Sequence, residues 1–395
     1  MTDPLGFLHG QVEQWKQEGL WQPLRVLESA CAAQSQFDGQ PVINLASNNY
    51  LGLTTHPRLR EAAIDAVRRF GAGSGAVRTI SGTMSLHLEL EQRIARFKDV
   101  EALVVFQSGF AANAGTVSAI LAPGDHIVSD ELNHASIIDG CRLSKAAIHV
   151  FPHKDVAAAG RILASLDADP GRKLLITDGV FSMDGDIAPL PGLVEVAETY
   201  GAIMMVDDAH ASGVLGRDGR GTVDHFGLHG RVDIQVGTLS KAIGVLGGYV
   251  CGSRSLIEFL YHRARPFLFS TSHPPAVAAA CLAAFDVLEG EPQRLASLWT
   301  NTRYFQQGLA SAGFDTGHTE TPITPIVVGE ARLAHELSRG LFEEGVLATG
   351  IGFPTVAKGK ARVRAIVTAT HTREELDRAL EAFRKVGKRL GILAA

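Results

Sequence analysis

Short apolar runs alternate with amphipathic helical patterns between about residues 46 and 285. The runs predicted to form buried strands are Ala102–Phe106, His126–Ser129, Ile148–Phe151, Leu174–Thr177, Ile203–Val206, Ile234–Val236 and Tyr249–Cys251. Amphipathic stretches such as Leu86–Phe97 and Leu190–Tyr200 lie between them. This alternation predicts an α/β fold, with a mostly parallel seven-stranded sheet covered by helices. In such folds ligands bind at the carboxyl ends of the strands.

The two ends of the chain show different patterns. Residues 1–45 predict a helix at Phe7–Glu18 and an extended arm at Gln40–Leu45, which packs either on a partner subunit or on its own domain. The elements predicted towards the C-terminus are a long helix Pro274–Gly313, a strand Ile323–Val328, a helix Ala331–Glu344, a strand Ala361–Val367 and a helix opened by a capping box at Thr372–Glu375. We therefore predict an N-terminal helix and arm (1–45), a large domain (46–285) and a small C-terminal α+β domain (286–395).

Composition narrows the class of protein. The 395 residues are 46% hydrophobic and 20% charged, and the net charge of −5 gives no basic surface for nucleic acid or membranes. The four cysteines are scattered without a CxxC pair, which favours a reduced protein over a disulfide framework or zinc knuckle. No signal pattern is present, and the apolar run Ala276–Phe285 is too short to cross a bilayer. We expect a soluble cytoplasmic protein with no nucleic-acid or membrane partner.

A carboxylate and a lysine follow two of the predicted strands. Asp207 ends the strand Ile203–Val206, and Lys241 lies just after Ile234–Val236 among hydroxyl-bearing and small residues. A partly desolvated lysine loses its charge more readily, and nearby hydroxyls and amides can hold a phosphate. Together they predict pyridoxal phosphate (PLP), with Asp207 on the pyridinium nitrogen and Lys241 on the aldehyde. Alone, each residue would favour the alternative of a solvated loop lysine or a strand-end cap.

The segment Gln107–Ala111 joins a predicted strand to a predicted helix. Amides at a helix N-terminus favour an anion, so this turn is a candidate phosphate cradle with Phe110 beside it. The alternative is a glycine that only serves the turn.

The segment Asn133–Ser136 offers an imidazole near another strand end. His134 could stack on a cofactor ring and hydrogen-bond a substrate. The alternative is a helix cap, since Ser136 and Asp139 have capping-box spacing, and both roles are compatible.

Two further segments carry polar residues. In Asp178–Gly185, Ser182 could bond a phenolic oxygen or the cofactor-binding histidine. The segment Phe70–Gly75 superficially resembles a dinucleotide loop, but it follows a predicted helix, whereas that fingerprint needs a preceding strand. We interpret it as a substrate-lining loop, with Arg78 as an anion contact.

The strand segment Ala361–Arg364 places Arg362 and Arg364 on one face. Guanidinium groups suit bidentate capture of a substrate carboxylate. Taken alone, the segment favours the alternative of a solvated strand edge.

Many ordered blocks together resemble one family, from about residue 5 to 392. The blocks are Asn48–Gly52, Ser81–Thr83, Asn133–Ser136, Asp178–Gly185, Val206–His210, Thr238–Lys241, Phe269–Ser272 and Arg362–Arg364. They are similar to the α-oxoamine synthases, PLP-dependent transferases of fold type I that join a small amino acid to an acyl-CoA.

The resemblance implies catalytic and cofactor-binding roles. Lys241 would hold the PLP aldehyde and then act as the base for the α-proton. Asp207 would hold the pyridine nitrogen, and His134 would stack on the ring and assist the acyl step. His210 and Ser182 would surround the phenolic oxygen.

The resemblance also implies how the phosphate is held. Gly109, Phe110 and Thr238 would bind it from one chain. Thr271 and Ser272 would reach in from the other subunit, so the enzyme would be a homodimer with shared active sites.

For the substrate, the resemblance implies that Asn48 and Arg364 grip the carboxylate, and Arg25 joins them as a candidate. It implies no metal.

Different blocks resemble different branches of the family. Ala76–Arg78, Asn133–Gly140 and Arg265–Ser270 resemble the branch that acylates glycine with acetyl-CoA to 2-amino-3-ketobutyrate, a step of threonine degradation. Gly73–Gly75 resembles two other branches, the one that joins L-alanine to pimeloyl-CoA with loss of carbon dioxide in biotin biosynthesis and the one that makes 5-aminolevulinate. Ser108–Gly109 resembles the first of these two. We expect glycine and acetyl-CoA as substrates with a broad acyl-CoA range, and alanine with pimeloyl-CoA as the alternative.

Three rival classes remain at this point. A metal hydrolase would use Asp207, Asp208 and His210. Another PLP lyase or decarboxylase of the same fold would not need acyl-CoA. A non-catalytic assembly protein would have no reason to combine Asp207, Thr238 and Lys241.

Overall fold

The computed structural model describes residues 3–18, 21 and 24–394. Residues 1–2, 19–20 and 22–23 of the predicted N-terminal segment, and residue 395, lie outside the described residues. The chain divides into two compact units, Asn48–Trp299 and a second unit made of Met1–Ser47 and Thr300–Ala395. The N-terminal residues therefore share a unit with the C-terminal ones, and the larger unit ends at Trp299. The predicted domain boundaries at residues 45 and 285 stay predictions.

The elements run as follows in chain order. The helices are α1 Gly6–Gln17, α2 Pro57–Phe70, α3 Ser85–Lys98, α4 Gly109–Ile120, α5 Ala135–Ser144, α6 Val156–Ser165, α7 Leu190–Thr199, α8 Thr222–His225, α9 Arg254–Arg263, α10 Arg265–Leu268, α11 Pro275–Gly290, α12 Gln293–Ala312, α13 Ala331–Glu343 and α14 Arg373–Arg389. The strands are β1 Gln34–Phe37, β2 Gln40–Asn44, β3 Ala102–Phe106, β4 His126–Asp130, β5 Ala147–Phe151, β6 Lys173–Asp178, β7 Ile203–Asp207, β8 Ile234–Thr238, β9 Gly248–Gly252, β10 Ile323–Gly329, β11 Val346–Leu347, β12 Thr349–Ile351 and β13 Ala361–Ile366.

The larger unit contains a seven-stranded sheet in the order β3-β9-β8-β7-β6-β4-β5. Strands β4 to β8 pair in parallel, and β9 is antiparallel to both of its neighbours. Each of the seven predicted apolar runs falls within one of these strands, which confirms the predicted sheet.

Helices cover both faces of this sheet, and successive side chains of a strand point to opposite faces, so each strand contributes to two cores. On one face Ile127, Ile176 and Met205 belong to a core that includes residues of α4, α5 and α9. On the other face Val128 and Val206 belong to a core with residues of α6 and α7. Strands buried on both faces explain why the sequence shows short apolar runs instead of strict alternation.

The parallel register brings three polar residues to one edge of the sheet. Asp178 at the end of β6 is paired with Asp207 at the end of β7. Asp207 is in turn paired with Val236, two residues before Thr238 at the end of β8. The predicted site residues therefore lie side by side at the carboxyl ends of the strands.

The second unit holds two small sheets. Strand β13 lies between β10 and β12, and β2 lies between β1 and β11. The arm predicted at Gln40–Leu45 thus packs within its own chain, pairing with Val346 and Leu347. The capping box of α14 is confirmed, since Thr372 and Glu375 exchange side-chain to backbone hydrogen bonds of 2.8 and 3.2 Å.

The prediction of one long helix at Pro274–Gly313 is wrong. The structure has α11 and α12, separated by Glu291 and Pro292. Glu291 has φ −127° and ψ 61°, outside the helical region, because the ring of Pro292 crowds the residue before it. Proline also lacks the N–H that would continue the helix.

Among the described residues, no helix combines the length and apolar character needed to cross a membrane.

Candidate active site

A cavity of about 200 Å³ lies at the carboxyl ends of β6, β7 and β8. Its lining contains eight of the predicted site residues, and the structure brings them together: Gly109, Phe110, His134, Ser182, Asp207, His210, Thr238 and Lys241. Ser108, Ser136, Asp178, Ala209 and Ser240 complete the lining.

One side of the cavity is rich in hydrogen-bond donors. Ser108 caps α4 by accepting a hydrogen bond from the N–H of Ala111 at 3.0 Å. The first N–H groups of a helix, here those of Gly109 and Phe110, have no partner within the helix. These groups lie at the positive end of the helix dipole, which favours an anion. The strand-to-helix turn predicted at Gln107–Ala111 is confirmed.

The sheet supports this turn through a close backbone approach. A Cβ atom on Gly248 of β9 would lie 2.4 Å from the carbonyl carbon of Ser108. Only glycine therefore lets β9 approach the turn so closely. Beside it, Thr238 Oγ1 donates to the carbonyl oxygen of Gly247 at 2.9 Å and lies 2.7 Å from Ser240 Oγ.

The opposite side carries two carboxylates. Asp207 is buried, and it accepts hydrogen bonds from Asn113 Nδ2 at 2.6 Å and from the N–H of Ala209 at 2.8 Å. Burial and then the negative charge of Asp207 raise the pKa of Asp178 well above its ordinary value. Asp207 therefore accepts the hydrogen bonds that stabilise a carboxylate, whereas the surroundings of Asp178 disfavour its charged form.

His134 is held by the start of α5. It is the N-cap of that helix, and its Nδ1 accepts from the N–H of Ser136 at 3.2 Å. The predicted helix cap is present in this segment, but His134 forms it and not Ser136, because the helix already begins at Ala135. The N–H of His134 donates to Asp178 Oδ2 at 2.9 Å. Burial lowers the pKa of His134, Asp207 opposes this, and Lys241 adds to it, so the ring tends to be neutral.

A tyrosine supports the second imidazole of the cavity. Tyr50 Oη lies 2.8 Å from His210 Nδ1, and both residues are buried. Tyr50 belongs to the block Asn48–Gly52, in which sequence reasoning selected only Asn48. The contact fixes the ring of His210 at the cavity wall.

The two adjacent aspartates at the end of β7 have different environments. Asp208 is fully buried and accepts from Lys98 Nζ at 2.9 Å and from the N–H of Thr222. Asp207 lines the cavity instead. The metal-hydrolase rival required both carboxylates to converge with His210, and the ion pair with Lys98 directs Asp208 elsewhere.

A partly buried charge cluster connects the segments that carry His134 and Ser182. His153 Nδ1 lies 3.0 Å from Asp130 Oδ1, and its Nε2 lies 2.9 Å from Asp186 Oδ2. Asp130 ends the strand before His134, and Asp186 follows the turn that contains Ser182. Sequence reasoning missed this cluster because its members lie 23 and 33 residues apart.

This cluster predicts a pH-dependent stability. Burial alone would lower the pKa of His153, but the hydrogen bonds that it donates to Asp130 and Asp186 raise it to about 9. The stabilisation is fully present below the unfolded value of about 6.5 and is lost as the pH rises towards 9. We expect His153→Gln to unfold at a lower temperature than the wild type at pH 6, and we expect this difference in unfolding temperature to shrink by pH 9.5.

Thermal unfolding across that pH range checks this prediction. His262→Gln, which replaces an exposed histidine, is the control. The difference in unfolding temperature between this variant and the wild type should not change with pH. A difference in unfolding temperature between the wild type and His153→Gln that stays constant with pH would contradict a protonated His153.

The segment predicted to reach a partner subunit lies elsewhere on the larger unit. Thr271 is exposed, and its backbone bridges to Val77. Ser272 is buried, and its hydroxyl donates to the carbonyl oxygen of Gly82 at 2.7 Å and lies 2.6 Å from Ser74 Oγ. Their role towards a partner's phosphate stays a prediction.

The prediction of Arg78 as an anion contact is wrong. Its guanidinium forms a buried bidentate ion pair with Glu91, with distances of 2.9 and 3.0 Å. Glu91 neutralises this charge within the chain, so Arg78 supports the fold near the glycine-rich loop.

The predicted substrate-binding residues lie outside the cavity lining. The buried Oδ1 of Asn48 has no hydrogen-bond partner in the described part of the chain. Arg25 pairs with Asp38 at 2.9 Å, and its guanidinium lies 3.6 Å from the centre of the Phe342 ring. Roles for Asn48 and Arg25 in substrate binding stay predictions.

Arg364 lies in the smaller unit, on the central strand of its sheet. It is half-buried, and its register partners are Pro325 and Thr349. The alternative of a solvated strand edge is wrong, because β13 has a neighbour on both sides and Arg362 is buried. Its grip on a substrate carboxylate stays a prediction.

The cavity fits PLP by the chemistry of its two sides. Amides and hydroxyls at Gly109, Phe110 and Thr238 suit a phosphate, and the buried carboxylate of Asp207 suits a protonated ring nitrogen. Lys241 supplies an amine for the aldehyde.

Comparison with known proteins now decides the family. The family model for aminotransferase class I and II matches residues 40–383. The chain belongs to the aminotransferase class I and II family.

Relatives within this family cover the whole chain. An 8-amino-7-oxononanoate synthase of Symbiobacterium thermophilum is 61% identical over 387 residues, covering 98% of this chain and 99% of the relative. The 8-amino-7-oxononanoate synthase 1 of Bacillus subtilis is 55% identical over 393 residues, covering 100% of both chains.

A solved family member has the same fold. A serine palmitoyltransferase from S. paucimobilis, with PLP and myriocin bound, superposes with a TM-score of 0.94 at 30% identity, covering 99% of this chain and 100% of the other. The family member described here is thus a PLP-dependent enzyme of fold type I, an acyltransferase of the α-oxoamine synthase type. These findings confirm the predicted family, fold, cofactor and enzyme class.

Proposed function

We propose that this enzyme condenses L-alanine with pimeloyl-CoA to give 8-amino-7-oxononanoate, coenzyme A and carbon dioxide. The observation that carries the proposal is the 61% identity, over nearly the full length, to a protein named for that product. The resemblance of Gly73–Gly75 and Ser108–Gly109 to the same branch agrees with it. The expected use of glycine and acetyl-CoA has no support among these relatives.

The cavity residues divide the work of this reaction. PLP, when bound, supplies an electron sink that stabilises negative charge on the α-carbon of the amino acid. Gly109, Phe110 and Thr238 would hold its phosphate, and Asp207 would hold its ring nitrogen. Lys241 would hold the aldehyde of the cofactor, and in the reaction its amine accepts the α-proton of alanine.

His134 assists the acyl step from the wall of the cavity. A bond forms between the α-carbon of alanine and the thioester carbonyl carbon, and the carbon–sulfur bond breaks. Coenzyme A leaves as the thiol with one proton. The carboxylate then leaves as carbon dioxide, and a proton takes its place on the α-carbon. One proton is consumed overall, so atoms and charge balance.

The fate of the carboxyl carbon tests the proposal directly. Alanine labelled at C1 and pimeloyl-CoA should release labelled carbon dioxide and coenzyme A in equal amounts. Glycine with acetyl-CoA is the matched comparison, because its product would keep the carboxylate. Coenzyme A release from glycine and acetyl-CoA alone, with the label retained, would reject the proposed substrates and restore the first expectation.

We also propose that the enzyme is a homodimer with shared active sites. The exposed Thr271 is the better placed of the two predicted partner contacts, since the Ser272 hydroxyl already donates within its own chain. Mixing Lys241→Ala and Thr271→Ala chains should restore activity in the mixed dimers if the site is shared. Two inactive variants that stay inactive on mixing would argue against sharing.

A further inference from the structure

An unbroken line of short polar contacts joins Asp207 to His134. Asn113 Nδ2 lies 2.6 Å from Asp207 Oδ2 and 3.0 Å from Ser136 Oγ. Ser136 Oγ lies 2.7 Å from His134 Nδ1. Asn113 and Ser136 are 0% and 1% exposed, so water does not compete for these bonds.

The first bond fixes the orientation of the Asn113 amide. A carboxylate only accepts hydrogen bonds, so the group of Asn113 facing Asp207 must be the NH₂. Turning the amide over would place its carbonyl oxygen against the carboxylate. The buried Oδ1 of Asn113 has no partner in the described part of the chain, so the amide forgoes a bond for its own oxygen while both N–H groups are used.

The backbone N–H of Ser136 decides the direction of the remaining bonds, because it can only donate and therefore needs an unprotonated Nδ1 as its acceptor. The second N–H of Asn113 donates to Ser136 Oγ, which leaves the single hydrogen of that hydroxyl to be donated to His134 Nδ1. The N–H of Ser136 points at the same Nδ1 from 3.2 Å. The Nδ1 atom thus receives two donors and has no room for a proton of its own.

We infer that Asn113 and Ser136 are positioning residues that hold His134 as the tautomer with a bare Nδ1 and the proton on Nε2. Since Nδ1 is occupied by α5, Nε2 is the ring nitrogen left to contact a ligand in the cavity. His134 would then meet the thioester carbonyl oxygen as a neutral N–H donor. That last role rests on the proposed function, whereas the tautomer does not.

The electrostatics of the site agree with a neutral ring. An imidazolium would carry a proton on Nδ1 and would have to displace both Ser136 donors. Burial lowers the pKa of His134, although Asp207 opposes this. Through Asn113, the same carboxylate that suits the ring nitrogen of the cofactor also orients the Ser136 hydroxyl that contacts His134.

Nitrogen NMR of the holoenzyme labelled with ¹⁵N-histidine tests the tautomer. Comparison with His134→Gln identifies the two ring signals of His134. The wild type should show Nδ1 as an unprotonated nitrogen and Nε2 as a protonated one. A protonated Nδ1 in the wild type would overturn the inference, whatever the variants do.

Variants of Ser136 test the positioning role. Ser136→Ala should shift the Nδ1 signal and lower kcat roughly 10- to 100-fold, as for other groups that orient a functional imidazole, with KM for alanine nearly unchanged. Ser136→Thr keeps the hydroxyl and should restore both the wild-type Nδ1 signal and the wild-type kcat. Ser144→Ala is the matched control, because Ser144 lies in the same helix and is also buried. Its hydroxyl donates to the carbonyl oxygen of Cys141 at 2.7 Å.

The outcomes separate this inference from the proposed function. Unchanged His134 signals and kcat in Ser136→Ala would overturn the positioning role while coenzyme A release continues. A bare Nδ1 in a protein that releases no coenzyme A from alanine and pimeloyl-CoA would support the inference and reject the proposed function alone.

Discussion

Lys241→Ala is expected to lower the rate of coenzyme A release by about four orders of magnitude. The variant lacks both the amine that holds the aldehyde and the base that accepts the α-proton, and a positioned base contributes roughly 10²–10⁴-fold. Steady-state release of coenzyme A measures the loss. The cavity residues that hold the phosphate and ring nitrogen remain, so PLP should still bind reversibly.

Borohydride reduction followed by peptide mapping locates the reactive amine. In the wild type it should fix PLP on Lys241, and in Lys241→Ala no peptide should carry the label. Lys388→Ala, which removes an exposed lysine of α14, is the control and should match the wild type. A label on another lysine, or activity within tenfold of wild type in Lys241→Ala, would contradict the assignment.

Lys98→Met is expected to lower the free energy of unfolding by about 3–5 kcal/mol. Lys98 and Asp208 are buried, with 1% and 0% of their side chains exposed, and their charged atoms are 2.9 Å apart. Burial alone would lower the pKa of Lys98, but Asp208 outweighs this and raises it. Removing the ammonium leaves a buried carboxylate without its counter-ion. Urea unfolding followed by circular dichroism measures the change.

Adding Asp208→Asn to Lys98→Met should recover part of the lost stability, because the carboxamide carries no charge. Arg231→Met serves as the control for an exposed pair, since Arg231 and Glu198 are 40% and 49% exposed. It should cost at most about 1 kcal/mol. Equal losses for Lys98→Met and Arg231→Met would contradict a structural role for the buried pair.

The sheet was predictable because its strands are buried on both faces. An apolar run such as Ile203–Val206 predicts a strand without any knowledge of the neighbouring strands in the sheet. Polar residues directly after such runs, Asp207 and Lys241 above all, stand out because the carboxyl ends of parallel strands form one edge. Pro292 alone also predicts the break between α11 and α12, and the prediction of a single helix overlooked it.

The supporting residues of the site could not be recognised from their sequence context. Asn113 lies inside α4, 94 residues before the carboxylate that it holds. Tyr50 lies 160 residues from His210, and Ser136 has the spacing of an ordinary helix cap. Their roles come from partners that only folding brings near.

The sequence by itself determined the α/β pattern, the strand ends that carry chemistry and the residue types that suit PLP. Local patterns suffice for these, because hydrophobic periodicity and strand-end position depend on neighbours in the chain. Only the tertiary structure decided that Asp207 lines the cavity while Asp208 pairs with Lys98, and that His134, not Ser136, caps α5. These outcomes depend on burial and on hydrogen-bond partners distant in sequence, which no local pattern encodes.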